Sequence, residues 1–315
     1  MTTLLLSLML IPHSMVAPLT AMSPIEIPGG PGNFDYVQVD VGKRRVLASH
    51  TEKGKLTVLD INTNEVKEIE TGVINGIAVD PSTNRIFVAG GGKMVVALDR
   101  ESLEKVGEYQ LPNPADSIGL AMPYHELYVD NDDGKEVWVF DTKSLTLKAT
   151  VAITGFPEWV EYDIRTDRVY QNVKDTNLTE IIDPKTHTVM DKWATKPVTS
   201  PHGMAIDNQK GWMFVAGKNG KLTATNMRSG HVAAIADIAM GIDQICYDSK
   251  LKRVYCASGL GKISVVQVTK EGLTSLGDVT TSPGAKTIAV DPVTHTVWVV
   301  YSNPKGSFMM GLKAN

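Results

Sequence analysis

Short apolar runs separated by polar turns recur along the whole chain, and no long segment carries a helical period. Seven of the runs align. They are Asp35–Asp40, Asn75–Asp80, Asp116–Ala121, Glu158–Asp163, His202–Asp207, Asp243–Asp248 and Lys286–Asp291, and six of the seven end in Asp. Their starts lie 40, 41, 42, 44, 41 and 43 residues apart. A fixed period of this length marks a repeat architecture.

Each run leads through a short polar loop into a second apolar run, as at Arg45, Arg85, Arg168 and Arg253. The closing Asp and the opening Arg bracket a predicted hairpin turn. A third strand follows, often after Gly-Lys (Gly54-Lys55, Gly134-Lys135, Gly220-Lys221, Gly261-Lys262), and then a weaker fourth such as Glu65–Glu70. Four strands in about 42 residues is the unit of a β-propeller blade. The expected fold is all-β: a single seven-bladed propeller of four-stranded blades.

The last unit runs short. After Lys286–Asp291 and Thr296–Tyr301 only Ser307–Lys313 remains before the chain stops at Asn315. The segment Ser23–Pro28, ahead of the first unit, is expected to supply the missing strand. The two ends then share one blade and leave no open sheet edge.

Leu4 to Pro12 is an apolar run of signal-peptide length, too short to span a bilayer. Residues 1–22 are read as a signal peptide and 23–315 as the propeller, which makes the protein periplasmic or secreted. No Lys or Arg precedes the run. Cleavage after Ala21 leaves Leu19 at −3, and cleavage after Ala17 puts Pro18 at +1. The net charge is −4, from 31 Lys and Arg against 35 Asp and Glu, with no basic block. Nucleic acid is therefore not an expected partner. A closed ring needs no second copy, so a monomer is expected.

The unit resembles the YVTN family of propeller repeats. The matching residues are Leu127–Asn131, the turns at Asp80-Pro81 and Asp291-Pro292, and Val137–Asp141. The resemblance covers the chain after residue 22. It implies the fold and leaves function open, because such propellers include surface proteins, binding proteins and enzyme-like relatives.

The candidate chemistry comes from aligning the first strands. Their first positions are Asp35, Asn75, Asp116, Glu158, His202, Asp243 and Lys286, all polar; two places on, every residue is apolar. The first strand of a blade lines the central channel, so these seven are expected to ring one channel mouth. Carboxylates crowded there must take up protons, pair with Lys286 or bind a cation. His50, Asn131 and Asn172, at second-strand ends, are further candidates for the same funnel. His125, His187, His231 and His295 are read as surface turn residues.

Such a ring suits a small ligand, an ion or a protein partner at the mouth. Oxygen donors from Asp116, Glu158 and Asp243 suit Ca²⁺ or Mg²⁺, and His202 would admit Zn²⁺ or Mn²⁺. The alternative is a metal-dependent hydrolase, lactonase or lyase, with Glu158 or His202 as general base. No phosphate loop, nucleophile elbow, Cys-x-x-Cys or haem motif is present. Cys246 and Cys256, on paired strands of the sixth unit, are near neighbours. They form either a disulfide or two small buried apolar residues.

Overall fold

A computed structural model describes residues 17–315. The apolar run Leu4–Pro12 lies outside the described residues. Six sheets have four antiparallel strands each, and the seventh has five. Only three short 3₁₀ turns interrupt the strands, and the described residues include no α-helix. The first strands touch one another in sequence order, and that of the seventh blade touches that of the first, which closes the ring. The protein is a seven-bladed β-propeller.

The hairpin reading explains the local structure. Asp40 pairs with Arg45, Asp80 with Arg85, Asp163 with Arg168 and Asp248 with Arg253. The repeated Asp turns the chain by accepting backbone N–H groups two and three residues on: Arg165 and Thr166 for Asp163, Gln209 and Lys210 for Asp207, Lys250 and Leu251 for Asp248. In every blade the residue before the second strand is left-handed, with φ between 51° and 70° (Arg44, Asn84, His125, Asp167, Gly211, Lys252 and His295).

The core is divided the same way. Seven clusters of buried side chains each lie between two neighbouring blades. Both faces of a blade are therefore covered, which is why its inner strands read as apolar on both sides. Polar links reinforce the joints. Arg100 grips Asp40 of the preceding blade, and Arg44 of the first blade pairs with Asp291 of the seventh, Nη1 to Oδ1 at 2.8 Å. Two of the turn histidines join this set and are not free surface residues. His295 Nδ1 lies 2.7 Å from Asp248 and His187 Nε2 lies 3.0 Å from Glu126.

The closing blade is built by both ends. Gly306–Ala314 pairs with Thr296–Asn303 on one side. On the other it pairs with Ile25–Ile27 and also with Leu19–Ala21. The expected segment Ser23–Pro28 is thus joined by a second strand inside residues 1–22. Leu19 is buried there, in the cluster between the sixth and seventh blades.

The cysteines are free. Cys246 is opposite Tyr255, and Cys256 is opposite Ile245. The register is offset by one, so the two thiols point to opposite faces of the blade. Cys246 packs toward the seventh blade and Cys256 toward the fifth.

Candidate functional site

The first strands approach closely enough to form one site because small residues sit between them. A Cβ on Gly203 would lie 2.7 Å from the Ile245 nitrogen, and one on Gly76 would lie 2.6 Å from the Asp116 carbonyl oxygen. Backbone there packs on backbone, which is where glycine is required. In the third to sixth blades the first-strand register slips at the ring position: between Ala115 and Ile118, Pro157 and Trp159, Pro201 and Met204, and Ile242 and Ile245. Such bulges re-aim side chains. Here they release Asp116, Glu158, His202 and Asp243 from the pleat.

All seven ring residues line one cavity of about 260 Å³ at the channel mouth. Three lysines hold its acids. Lys286 bridges Asp35 and Asp243, the latter at 3.0 Å. Lys218 pairs with the other Asp243 oxygen at 2.5 Å. Lys174 joins Glu158 at 2.8 Å and Asp132 at 3.4 Å. Asn75 donates to Asp35 at 2.6 Å. Among the described residues the Asp116 carboxyl has no hydrogen-bond or ion-pair partner.

The protonation pattern follows from these contacts. Burial, followed by Glu158 and Asp35, pushes the Asp116 carboxyl well above the usual range. Burial would raise Asp243 too, but Lys286 and Lys218 outweigh it and hold the group low. Burial raises Glu158 to about 7, against the opposing pull of Lys174. Burial and the neighbouring Lys218 lower His202 to about 4. The His202 ring also fixes a proton position. Its Nδ1 lies 2.8 Å from the Ser200 carbonyl oxygen, which can only accept, so the neutral ring carries its hydrogen on Nδ1. Nε2 then presents a lone pair to Glu158 Oε1 at 3.1 Å. Two acceptors at that distance need a proton between them, which is the form a raised Glu158 pKa favours.

Below the ring the channel is divided. Tyr36 stacks on Trp159 at 5.1 Å between ring centroids. Beside them Gln244 accepts from the Val37 and Ile288 amides and donates to the Val37 carbonyl oxygen, so one side chain ties three blades.

The other candidates fall elsewhere. His50 is fully buried, stacks on Phe34 and faces Glu68. Asn131 is buried against Glu136. Asn172 is buried and donates to the His202 carbonyl oxygen at 2.9 Å, so it positions the ring from behind. None of the three lines the mouth, because the pleat turns those second-strand positions into the blade. The metal-donor grouping also differs from the expected one. Glu158 and Asp243 do come together, but with His202 in place of Asp116; the three donor atoms lie within 4.8 Å of one another. Lys174, Lys218 and Asp132 were not anticipated. All three sit at the sixth place after the second-strand opening residue, a position shared by Thr51, Gly91, Gly259 and Ser302 and never a large apolar side chain.

No protein-family model matches the chain, and no curated protein matches its sequence. Solved structures do match its shape. A chain of "Crystal Structure of Mitotic Checkpoint Complex" superposes with a TM-score of 0.80 at 13% identity, over 100% of both chains. "Crystal structure of RRP9 WD40 repeats" gives 0.79 at 8% identity, over 94% of this chain and 100% of that one. "Structure of U3-55K" gives 0.77 at 8%, over 94% and 98%. These likenesses establish a fold with WD40-like neighbours, and the fold alone. No helix among the described residues is long and apolar enough to cross a membrane.

Proposed function

We propose that the protein is an exported binding propeller that takes a small polar ligand, rich in hydrogen-bond donors, at the ringed channel mouth. One observation carries the reading: seven polar side chains from seven blades converge on one cavity, and Asp116 is left without a partner there. The lysines satisfy the other acids, so the unmet need at the site is for a donor. A hydroxyl or amino group on Asp116 would meet it. Propellers with WD40-like neighbours typically bind protein partners, and a donor side chain of such a partner would meet the same need. Export rests on the run Leu4–Pro12, and kinship with YVTN repeats rests on the residues quoted above. The ring closes on itself, which supports a monomer.

The test is a thermal-stability screen against sugars, polyols, amines and amino acids, with hits titrated by calorimetry. The expected result is a ligand whose affinity drops at least about tenfold in Asp116→Asn. A screen without any hit that depends on Asp116 or Glu158 would remove the proposal.

The donor group Glu158, His202 and Asp243 favours a second reading, a metal-dependent hydrolase or lyase. One imidazole and two carboxylates suit Zn²⁺ or Mn²⁺. A bound ion would polarise a substrate carbonyl. Glu158 and His202 Nε2 would give up their shared proton, because the same lone pairs would hold the ion. Against it, Lys174, Lys218 and Lys286 already occupy the carboxylates and would have to withdraw. Elemental mass spectrometry of untagged protein separates the readings: a stoichiometric divalent ion lost in His202→Ala supports the second, and its absence the first.

A further inference from the structure

The channel has a second mouth, at the opposite ends of the same first strands, and its chemistry is different. Beyond the Tyr36–Trp159 divider lies a vestibule of about 390 Å³. Ile77, Ile118, Leu120 and Val160 form its walls. Met122 and Ile164, at the first-strand turns of the third and fourth blades, stand on its rim 50% and 66% exposed. They carry the apolar lining out to the edge of the vestibule.

Within this apolar enclosure stands one carboxyl, Glu161. Its single hydrogen bond is a long one, from Trp159 Nε1 to Oε2 at 3.4 Å. Among the described residues it has no lysine, arginine or histidine partner; the nearest charge acting on it is another acid, Asp163, whose own oxygens are taken by the Arg165 and Thr166 amides. Burial raises it to about 7. A second group lacks a partner beside it: the Gln38 side-chain oxygen is buried and accepts no hydrogen bond, and Gln38 lines the same cavity. Two acceptors short of donors, inside apolar walls, define a complementary shape and charge. The occupant is apolar along its length and ends in a group with several N–H donors and a positive charge.

We propose that this vestibule binds a small organic ammonium ion, an amine on an aliphatic or aromatic body, with Glu161 as counter-ion and the Gln38 oxygen as second acceptor. The volume falls within the range of small-ligand sites, about 300–1,000 Å³. The site is separate from the polar mouth, and its fate does not depend on the reading given there.

The test is calorimetric titration with phenethylammonium and with 2-phenylethanol, its uncharged counterpart of similar shape. It is run at about pH 8, where Glu161 is ionised and the amine is still protonated. The native protein should bind the ammonium at least about tenfold more tightly than the alcohol. Glu161→Gln keeps an acceptor for Trp159 and should bring the two affinities together by weakening the amine alone. Asp116→Asn, in the other mouth, should leave the Glu161-dependent part of the amine's binding unchanged. Equal binding of amine and alcohol by the native protein needs no variant to fold and would overturn the proposal. So would the absence of amine binding at millimolar concentration, or amine binding that depends on Asp116 and not on Glu161.

Discussion

The two mouths of the channel are made by the same seven strands and treat charge in opposite ways. At the ringed mouth five carboxylates (Asp35, Asp116, Asp132, Glu158 and Asp243) meet three lysines, and four of the five are in ion pairs. The region is crowded with charge and yet has little unmet demand, concentrated on Asp116. The opposite vestibule holds one carboxyl, Glu161, with no cation near it among the described residues. A count of charged residues would rank the first mouth far above the second as a place for ligands. A count of groups short of a partner does not: Asp116 stands at the first, Glu161 and Gln38 at the second. What a site offers a ligand is what its own side chains leave unpaired, because a buried group without a partner carries the full cost of its lost hydration.

The comparison breaks most completely if the divider is removed. Trp159→Ala deletes the stack on Tyr36 and the donor to Glu161, and should cost about 3–5 kcal/mol in urea denaturation. A loss under about 1 kcal/mol would show that Gln244 alone holds the two mouths apart. A smaller effect follows from Lys286→Met, which leaves Asp35 and Asp243 without their shared cation. Because the lysine is 34% exposed, the expected cost is about 2 kcal/mol, below that of a fully buried pair. Adding Asp243→Asn should recover most of it, and no recovery would mean that the lysine acts through packing.

The smallest effect is a change of slope with pH. Glu158 is raised to about 7 in the folded protein, so its contribution is full below the unfolded value and fades as pH rises from about 4.5 to 7. His202 is lowered to about 4, so its contribution is full above about 6.5 and fades as pH falls toward 4. The two slopes oppose each other over the same range. Glu161, also raised to about 7, keeps a falling slope of its own, so Glu158→Gln should make stability rise with pH relative to the native protein, by up to about 1.4 kcal/mol per pH unit between about 4.5 and 7. A variant with the same pH dependence as the native protein would show that Glu158 does not titrate as described.

Much of this was legible in the sequence, for a reason that repeats explain. Seven copies of one hairpin average out the accidents of each, so the Asp–Arg brackets and the missing seventh outer strand stood out. The polar ring was visible because one aligned position stayed polar while its neighbours two places on stayed apolar. The same alignment carried to the second strands would have found Asp132, Lys174 and Lys218. It was lost because that position lies past the apolar run that marks the second strand, and its residue type differs from blade to blade. His50, Asn131 and Asn172 were misplaced by one pleat, an error that sends a side chain to the opposite face. The cysteines left two outcomes open, and the register decides between them: offset by one residue, they point apart and stay free. The second vestibule left no comparable signal. Its one carboxyl, Glu161, alternates with apolar neighbours as any half-exposed strand residue does. Its isolation exists only once Tyr36 and Trp159 have closed the channel above it.

The clasp between the two ends has a consequence in time. Leu19–Ile27 and Gly306–Ala314 are the most distant partners in the sequence that share a sheet. Bringing them together closes a loop of nearly the whole chain, at an entropic cost of about 5 kcal/mol for that length. No ring can lock before Gly306–Ala314 is in place, however complete the first six blades are. Assembly is therefore gated by the final strand, which arrives last and engages the first. Until Gly306–Ala314 engages Leu19–Ile27, the blades form an open arc with an unpaired edge at each end.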